Sequence, residues 1–359
     1  MRTQITKDAF IGQKIFVGLD VHKKDFKVSV IAGGVLYKTF SSPPDGAKVF
    51  SFLQQNFPGA EYYSAYEAGF SGFWLHKQLI ELGVNSFVVN PADIPTTDKE
   101  RRQKEDQRDS RKLARDLQAG QLKPIYVPSE KTIHDRILMR SRYTIVKEIR
   151  RSKQRIKSLL YFQGIRYPDK FATETNHWSK NFIKWLESIV FENESGKQGL
   201  QIPIEILKYH RQLLLQTNRQ IRALSRSDHY RERVENLLSV PGIGMLTAMN
   251  LLTELETITR FENFNHLCSF IGLIPATHSS GDDNVTTGIT PRKSSALRSA
   301  MIESAWVAIR NDPALMSIYL RHSKRMSSTR AIVRVAKKLL SRIAHILRKN
   351  EKYQKGIVK

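Results

Sequence analysis

The 359-residue sequence contains one cysteine, Cys268. That excludes a disulfide framework and a cysteine-based zinc site. With Leu267 and Phe270 nearby, Cys268 reads as a small buried side chain rather than a nucleophile. No apolar run approaches the ~20 residues that a membrane-spanning helix needs. The opening residues MRTQITKDAF lack the apolar core of a signal peptide. The expectation is a cytoplasmic protein with no membrane partner, associated with the nucleoid when active. Acids are scarce: 34 Asp plus Glu stand against 58 Lys plus Arg, for a net charge of +24. Basicity on this scale implies a polyanionic partner, most often nucleic acid. A hydrophobic content of 40% supports a packed core. The length allows two or three domains.

Lys14 to Asp25, KIFVGLDVHKKD, is an apolar strand with one acid, Asp20, at its centre. A carboxylate inside a sheet is costly unless it is paired, by Lys23 or Lys24 or by a metal ion. Phe26–Ile31 alternates apolar and polar residues, Gly33-Gly34 makes a turn, and Val35–Phe40 is a third strand. After Ser41–Asp45 comes a helix with Val49, Phe50, Leu53 and Phe57 on one face. Glu61–Tyr66 is a fourth strand ending at Glu67, Phe73–Leu82 a second helix, and Ser86–Asn90 a fifth strand stopped by Pro91. The first three strands suit an antiparallel meander, and the later crossovers suit parallel addition.

From Lys99 to Arg115 eight basic residues surround Asp106 and Asp109, which are three apart and so share a helical face. Such a surround lowers carboxylate pKa values and can grip phosphates; Arg101, Arg102, Lys104, Arg108 and Arg111 are the candidate contacts. Pro124 and Pro128 mark a boundary. Beyond it Ile145, Ile149, Ser152, Ile156 and Leu159, and then His210, Leu214, Thr217, Ile221 and Leu224, recur at four and three spacing. Two such helices form an antiparallel hairpin within the chain or an oligomerising coiled coil. Between them, Phe171–Gln201 reads as an irregular, partly helical insertion.

Leu237–Ala248, LLSVPGIGMLTA, places Pro241, Gly242 and Gly244 in a tight turn between apolar helical segments. It resembles a helix-hairpin-helix motif, whose turn amides bind a DNA phosphate; a plain turn between core helices has the same pattern. Leu251–Phe270 reads as one apolar helical stretch, and Gly272–Gly281, GLIPATHSSG, leads into a polar loop ending near Thr290. From Arg292 and Lys293 onward, through Arg298, the helices are rich in Arg and Lys, with Ile332, Val335, Leu339, Ile343 and Ile346 on one face. This is a plausible backbone-binding surface for nucleic acid.

Asp20, Glu67, Asp106 and Asp109 form one constellation if strands one and four are neighbours, as in a ribonuclease-H-like sheet. Four carboxylates suit two Mg2+ ions, which favour oxygen ligands and can stabilise the attacking and leaving oxygens of a phosphodiester transfer.

The four acids in this order, with GLD in the first strand, YEAG at Glu67, VVNP at Asn90-Pro91, KxDxxDxxxLA from Lys104 to Ala114, SVPGIG from Ser239 to Gly244 and GLxPxxxxSG from Gly272 to Gly281, resemble the RuvC-like DEDD transposases of the IS-one-ten insertion-sequence family, which includes the pilin-gene invertases. The resemblance implies an α/β plus all-α chain. Residues 1–124 would be a RuvC-like, RNase H-like domain with a mixed sheet and flanking helices. Residues 125–231 would be a helical, coiled-coil-like linker used in oligomerisation. Residues 232–359 would be a mostly helical transposase domain. It further implies that Asp20, Glu67, Asp106 and Asp109 are metal ligands and that Ser280 is the catalytic serine, holding a cut strand as a phosphoserine. A structured guide RNA, double-stranded DNA at the element ends and the target, and a dimeric or tetrameric assembly follow from the same likeness. A metal-dependent junction nuclease with no covalent step is the rival reading. The chain departs from the family at Glu105, where threonine is common, at Ser110, where alanine is common, and at Pro291–Ser295, where a lysine-alanine-glycine turn is common.

Overall fold

The computed structural model describes residues 10–94, 106–280, 283–289 and 294–355. The chain divides into two compact units, Met1–Val127 and Pro128–Lys359.

The first unit is a five-stranded mixed sheet of RNase H type. Strands β1 (Lys14–Val21), β2 (Phe26–Ala32) and β3 (Val35–Ser42) form the antiparallel meander. Helix α1 (Gly46–Asn56) leads to β4 (Glu61–Glu67), and α2 (Trp74–Glu81) leads to β5 (Asn85–Val89); both of these strands add in parallel, giving the order β3-β2-β1-β4-β5. Helix α3 (Asp106–Gln118) follows.

Because side chains alternate across a strand, each face of the sheet has its own chemistry. One face carries Ile15, Val17, Leu19, Val28, Val30, Tyr62, Tyr66 and Val88, buried with Val49 and Leu53 of α1 and Leu75 and Leu79 of α2. The other face is crossed by a row of mostly small residues in register: Thr39 on β3, Ser29 on β2, Gly18 on β1 and Ala65 on β4. Helix α3 lies in this row. A Cβ placed on Gly18 would meet the Ser110 carbonyl oxygen at 1.9 Å and the Ala114 nitrogen at 2.5 Å, so helix backbone rests on strand backbone. Buried Ser110 hydrogen-bonds to Ser29 (Oγ to Oγ, 2.8 Å), and Arg111 Nε donates to Thr39 Oγ1 at 3.0 Å. The serine that departs from the family pattern therefore fills a polar contact that the neighbouring strand supplies.

In the second unit, α4 (Glu130–Phe162) and α6 (Glu194–Ser225) pack as an antiparallel hairpin. The early α4 residue Met139 shares a core with the late α6 residue Ile221, while Ile156 and Leu160 share another with Leu200, Ile204 and Leu207. The pairing is thus made within one chain, and Leu160 rather than Leu159 is the fully buried residue. The segment expected to be irregular is more ordered than that: α5 (Lys180–Glu187) and two short 3-10 turns build an aromatic cluster of Tyr167, Phe171, His177, Phe182 and Trp185 at the hairpin tip, and α6 already begins at Glu194. Gly196, Gly199 and Pro203 lower the local helix propensity, and packing of Leu200 and Ile204 overrides it.

Helix α7 (Arg231–Leu238), the Ser239–Gly244 turn and α8 (Met245–Leu255) come next. The single apolar helix expected from Leu251 to Phe270 is in fact two. Glu256 takes a left-handed φ of 58°, which ends α8, and α9 (Phe264–Ile271) starts anew with Asn263 Oδ1 accepting from the His266 amide at 3.0 Å. The expected polar loop is a hairpin of β6 (Pro275–Ser280) and β7 (Asp283–Ile289). Helices α10 (Ser295–Asn311), α11 (Pro313–Ser323) and α12 (Ser328–Lys349) close the unit, with Ile332, Val335, Leu339, Ile343 and Ile346 all buried. Among the described residues no helix is long and apolar enough to cross a membrane.

Candidate functional site

The β1–β4 ladder runs in register to Leu19 and Tyr66, so Asp20 and Glu67 stand one step further on adjacent parallel strands. Asp20 is two residues from Gly18 and Glu67 two from Ala65, which puts both on the α3 face. Asp20 is partly buried, with 22% of its side chain exposed, and Glu67 is exposed.

The direction of α3 is set by two contacts. Ser110 and Ala114 sit over Gly18, while Gln118 at the helix end lies against Gly34 in the β2–β3 turn. The helix therefore runs from the Asp20 end of β1 toward the Ile15 end. Asp106 opens α3 four residues before Ser110, roughly 6 Å along the axis; Asp20 lies two residues past Gly18, roughly 6.6 Å along the strand. Asp109, half-buried, is four residues before Leu113, which packs on Val89 in the row of Glu67. The two strand acids and the acidic turn of α3 thus share one end of one face. The side chain of Asp106 lies outside the described residues, as do Arg101, Arg102 and Lys104. Among the described residues no three acidic, histidine or cysteine side chains form a metal cluster. Arg108 is exposed, and Arg111 is engaged by Thr39.

Residue reasoning missed His22. Its Nε2 lies 3.0 Å from Asp20 Oδ2. The signal was present: Asp-Val-His at the end of a strand puts the first and third side chains on one face. Lys27 is Asp20's cross-strand neighbour, yet its ammonium donates to Asp25 at 2.6 Å and to Ser41 Oγ at 2.8 Å.

In the second unit Ser280 ends β6 and pairs with Asp283 at the start of β7; Gly281 and Asp282 lie outside the described residues, and so do Arg292 and Lys293. Gly242 is engaged in packing. It has a φ of 85°, and a Cβ there would stand 2.2 Å from the Ser304 carbonyl oxygen of α10. Gly244 caps α8 in open space. Arg298, read from the sequence as part of a basic nucleic-acid-binding surface, is 8% exposed.

Two transposase profiles match the chain. One, described as a transposase of DEDD type, covers residues 17–163, and the other, described as transposase IS116/IS110/IS902 family, covers residues 234–320. A Sinorhizobium fredii protein named as a transposase, y4qE, is 28% identical over 298 residues, 82% of this chain and 72% of its own. The transposase for insertion sequence element IS1533 of Leptospira borgpetersenii is 28% identical over 306 residues, 82% of this chain and 85% of its own. The pilin gene-inverting protein of Moraxella bovis is 30% identical over 130 residues, 35% of this chain and 40% of its own.

Proposed function

Because the chain belongs to the IS110/IS116/IS902 transposases, a family that cuts and rejoins DNA, we propose that it does so through a covalent serine step that depends on its four acids. The observation that carries the acidic half is the placement of Asp20 and Glu67 on adjacent strands of the face that α3 covers, with the Asp106–Asp109 turn at the same end. A divalent metal suits this donor set, since hard cations take oxygen ligands and clustered carboxylates otherwise repel. Asp20, Glu67, Asp106 and Asp109 would hold it, with Mg2+ as the ion and two per site. Such ions supply charge stabilisation at a reacting phosphate.

Ser280 is the proposed nucleophile. Its Oγ forms a bond to phosphorus as the bond from phosphorus to one DNA oxygen breaks; the serine proton ends on the released DNA hydroxyl. An incoming DNA hydroxyl then attacks the same phosphorus and displaces Oγ, which regains a proton. Each step exchanges one phosphoester for another, so strands are rejoined without an external energy source. A serine at the end of a strand suits this role, because a nucleophile must be reachable by a large substrate.

The net charge of +24 supports two polyanionic partners, the DNA being joined and a structured guide RNA. Arg101, Arg102, Lys104, Arg108, Arg111, Gly244, Arg292 and Lys293 are the proposed phosphate contacts. We retain 1–124, 125–231 and 232–359 as a functional division into acids, helical arm and serine region. The arm is the proposed contact of a homo-oligomer, a dimer or a tetramer.

The decisive experiment recovers the protein with its flanking DNA under denaturing conditions and looks by mass spectrometry for a nucleotide on Ser280. An adduct that disappears in both Ser280→Ala and Asp20→Ala is expected. Metal-dependent cleavage that survives Ser280→Ala with no adduct would instead establish a hydrolytic nuclease.

A further inference from the structure

We propose that Arg298 and the first turn of α10 form a buried seat for a phosphodiester oxygen of the DNA backbone. This rests on the reading of the chain as a DNA-joining enzyme.

The guanidinium belongs to a side chain that is 8% exposed, and its Nη1 is buried without a hydrogen-bond partner among the described residues. A buried cation of this kind is costly unless an anion meets it. Among the described side chains, the elements packed on α10 do not provide one. Helices α9 and α12 contain no acid. On α8, Glu254 is engaged by Arg140 at 3.0 and 3.1 Å. Asp312, ahead of α11, is engaged by Arg342 at 3.0 Å. On α10 itself Glu303 is exposed and five residues on, on a different face. Burial lowers the Arg298 pKa.

The second feature is the helix end. Helix α10 runs for 17 residues from its cap, Ser294. Ser294 takes the Leu297 amide on its side chain at 3.5 Å and the Arg298 amide on its carbonyl at 3.0 Å. The amides of Ser295 and Ala296 are the remaining opening donors, and the helix dipole adds positive potential there. A helical side chain leans toward the N-terminus, which favours a guanidinium at Arg298 lying back along the turn whose amides need an acceptor. A charged donor and helix-end amides together match a phosphate. Ser280, at the far end of the β6–β7 hairpin, is seven β7 residues away from the connection into α10. The proposed seat grips the backbone and positions the strand, a role separate from the chemistry at the serine.

The test uses the full chain, metal-free buffer and a fluorescein-labelled DNA duplex, with R298Q and R298K checked by circular dichroism. R298Q should weaken binding roughly ten-fold and make the slope of log affinity against log salt shallower by about one. R298K should recover part of the affinity. Independently, inorganic phosphate should raise the wild-type melting temperature above chloride at equal ionic strength, and should not do so in R298Q. Wild-type affinity and slope in a folded R298Q, or no phosphate-specific stabilisation of the wild type, would overturn the seat while leaving the DNA reading intact. A wild-type protein that binds no duplex would remove the DNA reading itself, and the seat with it.

Discussion

Replacing Gly18 with alanine tests whether α3 must lie directly on the sheet. The new Cβ would stand 1.9 Å from the Ser110 carbonyl oxygen and 2.5 Å from the Ala114 nitrogen. Both atoms are helix backbone, so no side chain can swing away. To reach ordinary contact at 3.4 Å the helix must withdraw by roughly 1.5 Å. That withdrawal stretches the 2.8 Å Ser29–Ser110 hydrogen bond past its useful range. Overpacking costs about 1–3 kcal/mol and the lost hydrogen bond about 1 kcal/mol. A unit of ordinary stability, ~5–15 kcal/mol, stays folded after such a loss. Its acidic turn, however, is displaced by more than an ångström, which costs on the order of 100-fold in a positioned reaction. The assay is strand cleavage on flanking DNA, beside thermal denaturation followed by circular dichroism. Gly199→Ala in α6 is the control: nothing lies within 4 Å of its Cβ, and it should leave cleavage unchanged. Wild-type cleavage by Gly18→Ala, with an unchanged melting temperature, would refute the argument that the acids depend on this backbone contact.

Two further outcomes are expected in the second unit. The Asp312 side chain is fully buried and accepts from the Leu315 amide, Arg342 and the Tyr353 hydroxyl. Burial raises its pKa, but the Tyr353 hydroxyl, the Leu315 amide and Arg342 outweigh that and hold it below the ordinary carboxylate range. Its stabilisation is thus present above the unfolded value of about 3.9 and is lost as pH falls through the lower folded value. Asp312→Asn should cost ~3 kcal/mol at neutral pH and should flatten the fall in melting temperature below about pH 4. Gly242→Ala forces a Cβ to 2.2 Å from the Ser304 carbonyl oxygen at a φ of 85°. It should cost about 2–3 kcal/mol in a melting experiment without DNA, as expected of a packing residue.

The sequence by itself determined the N-terminal unit almost completely. Strand alternation, helix periodicity and the Gly33-Gly34, Ser41–Asp45 and Pro91 breaks are local signals, and crossover rules then make β1 and β4 neighbours. The order of Asp20, Glu67, Asp106 and Asp109 was legible along the same chain, and the likeness to DEDD transposases came from the short motifs around them. The small-residue row Thr39–Ser29–Gly18–Ala65 was not, because four separate strands contribute one residue each and only pairing aligns them. Nor was the contact of His22 with Asp20 singled out, although its spacing was in view. In the C-terminal unit long-range packing decided more. Leu200 and Ile204 hold a helix that Gly196, Gly199 and Pro203 argue against, and Glu256 breaks one that apolar composition favours. The sequence around Ser280 consists of serine, glycine and polar residues that read as a loop, whereas cross-strand pairing makes it a hairpin. Arg298 looked like one more surface cation; only the packing of α10 against its neighbours buries it, since burial belongs to the assembled core and not to the residue.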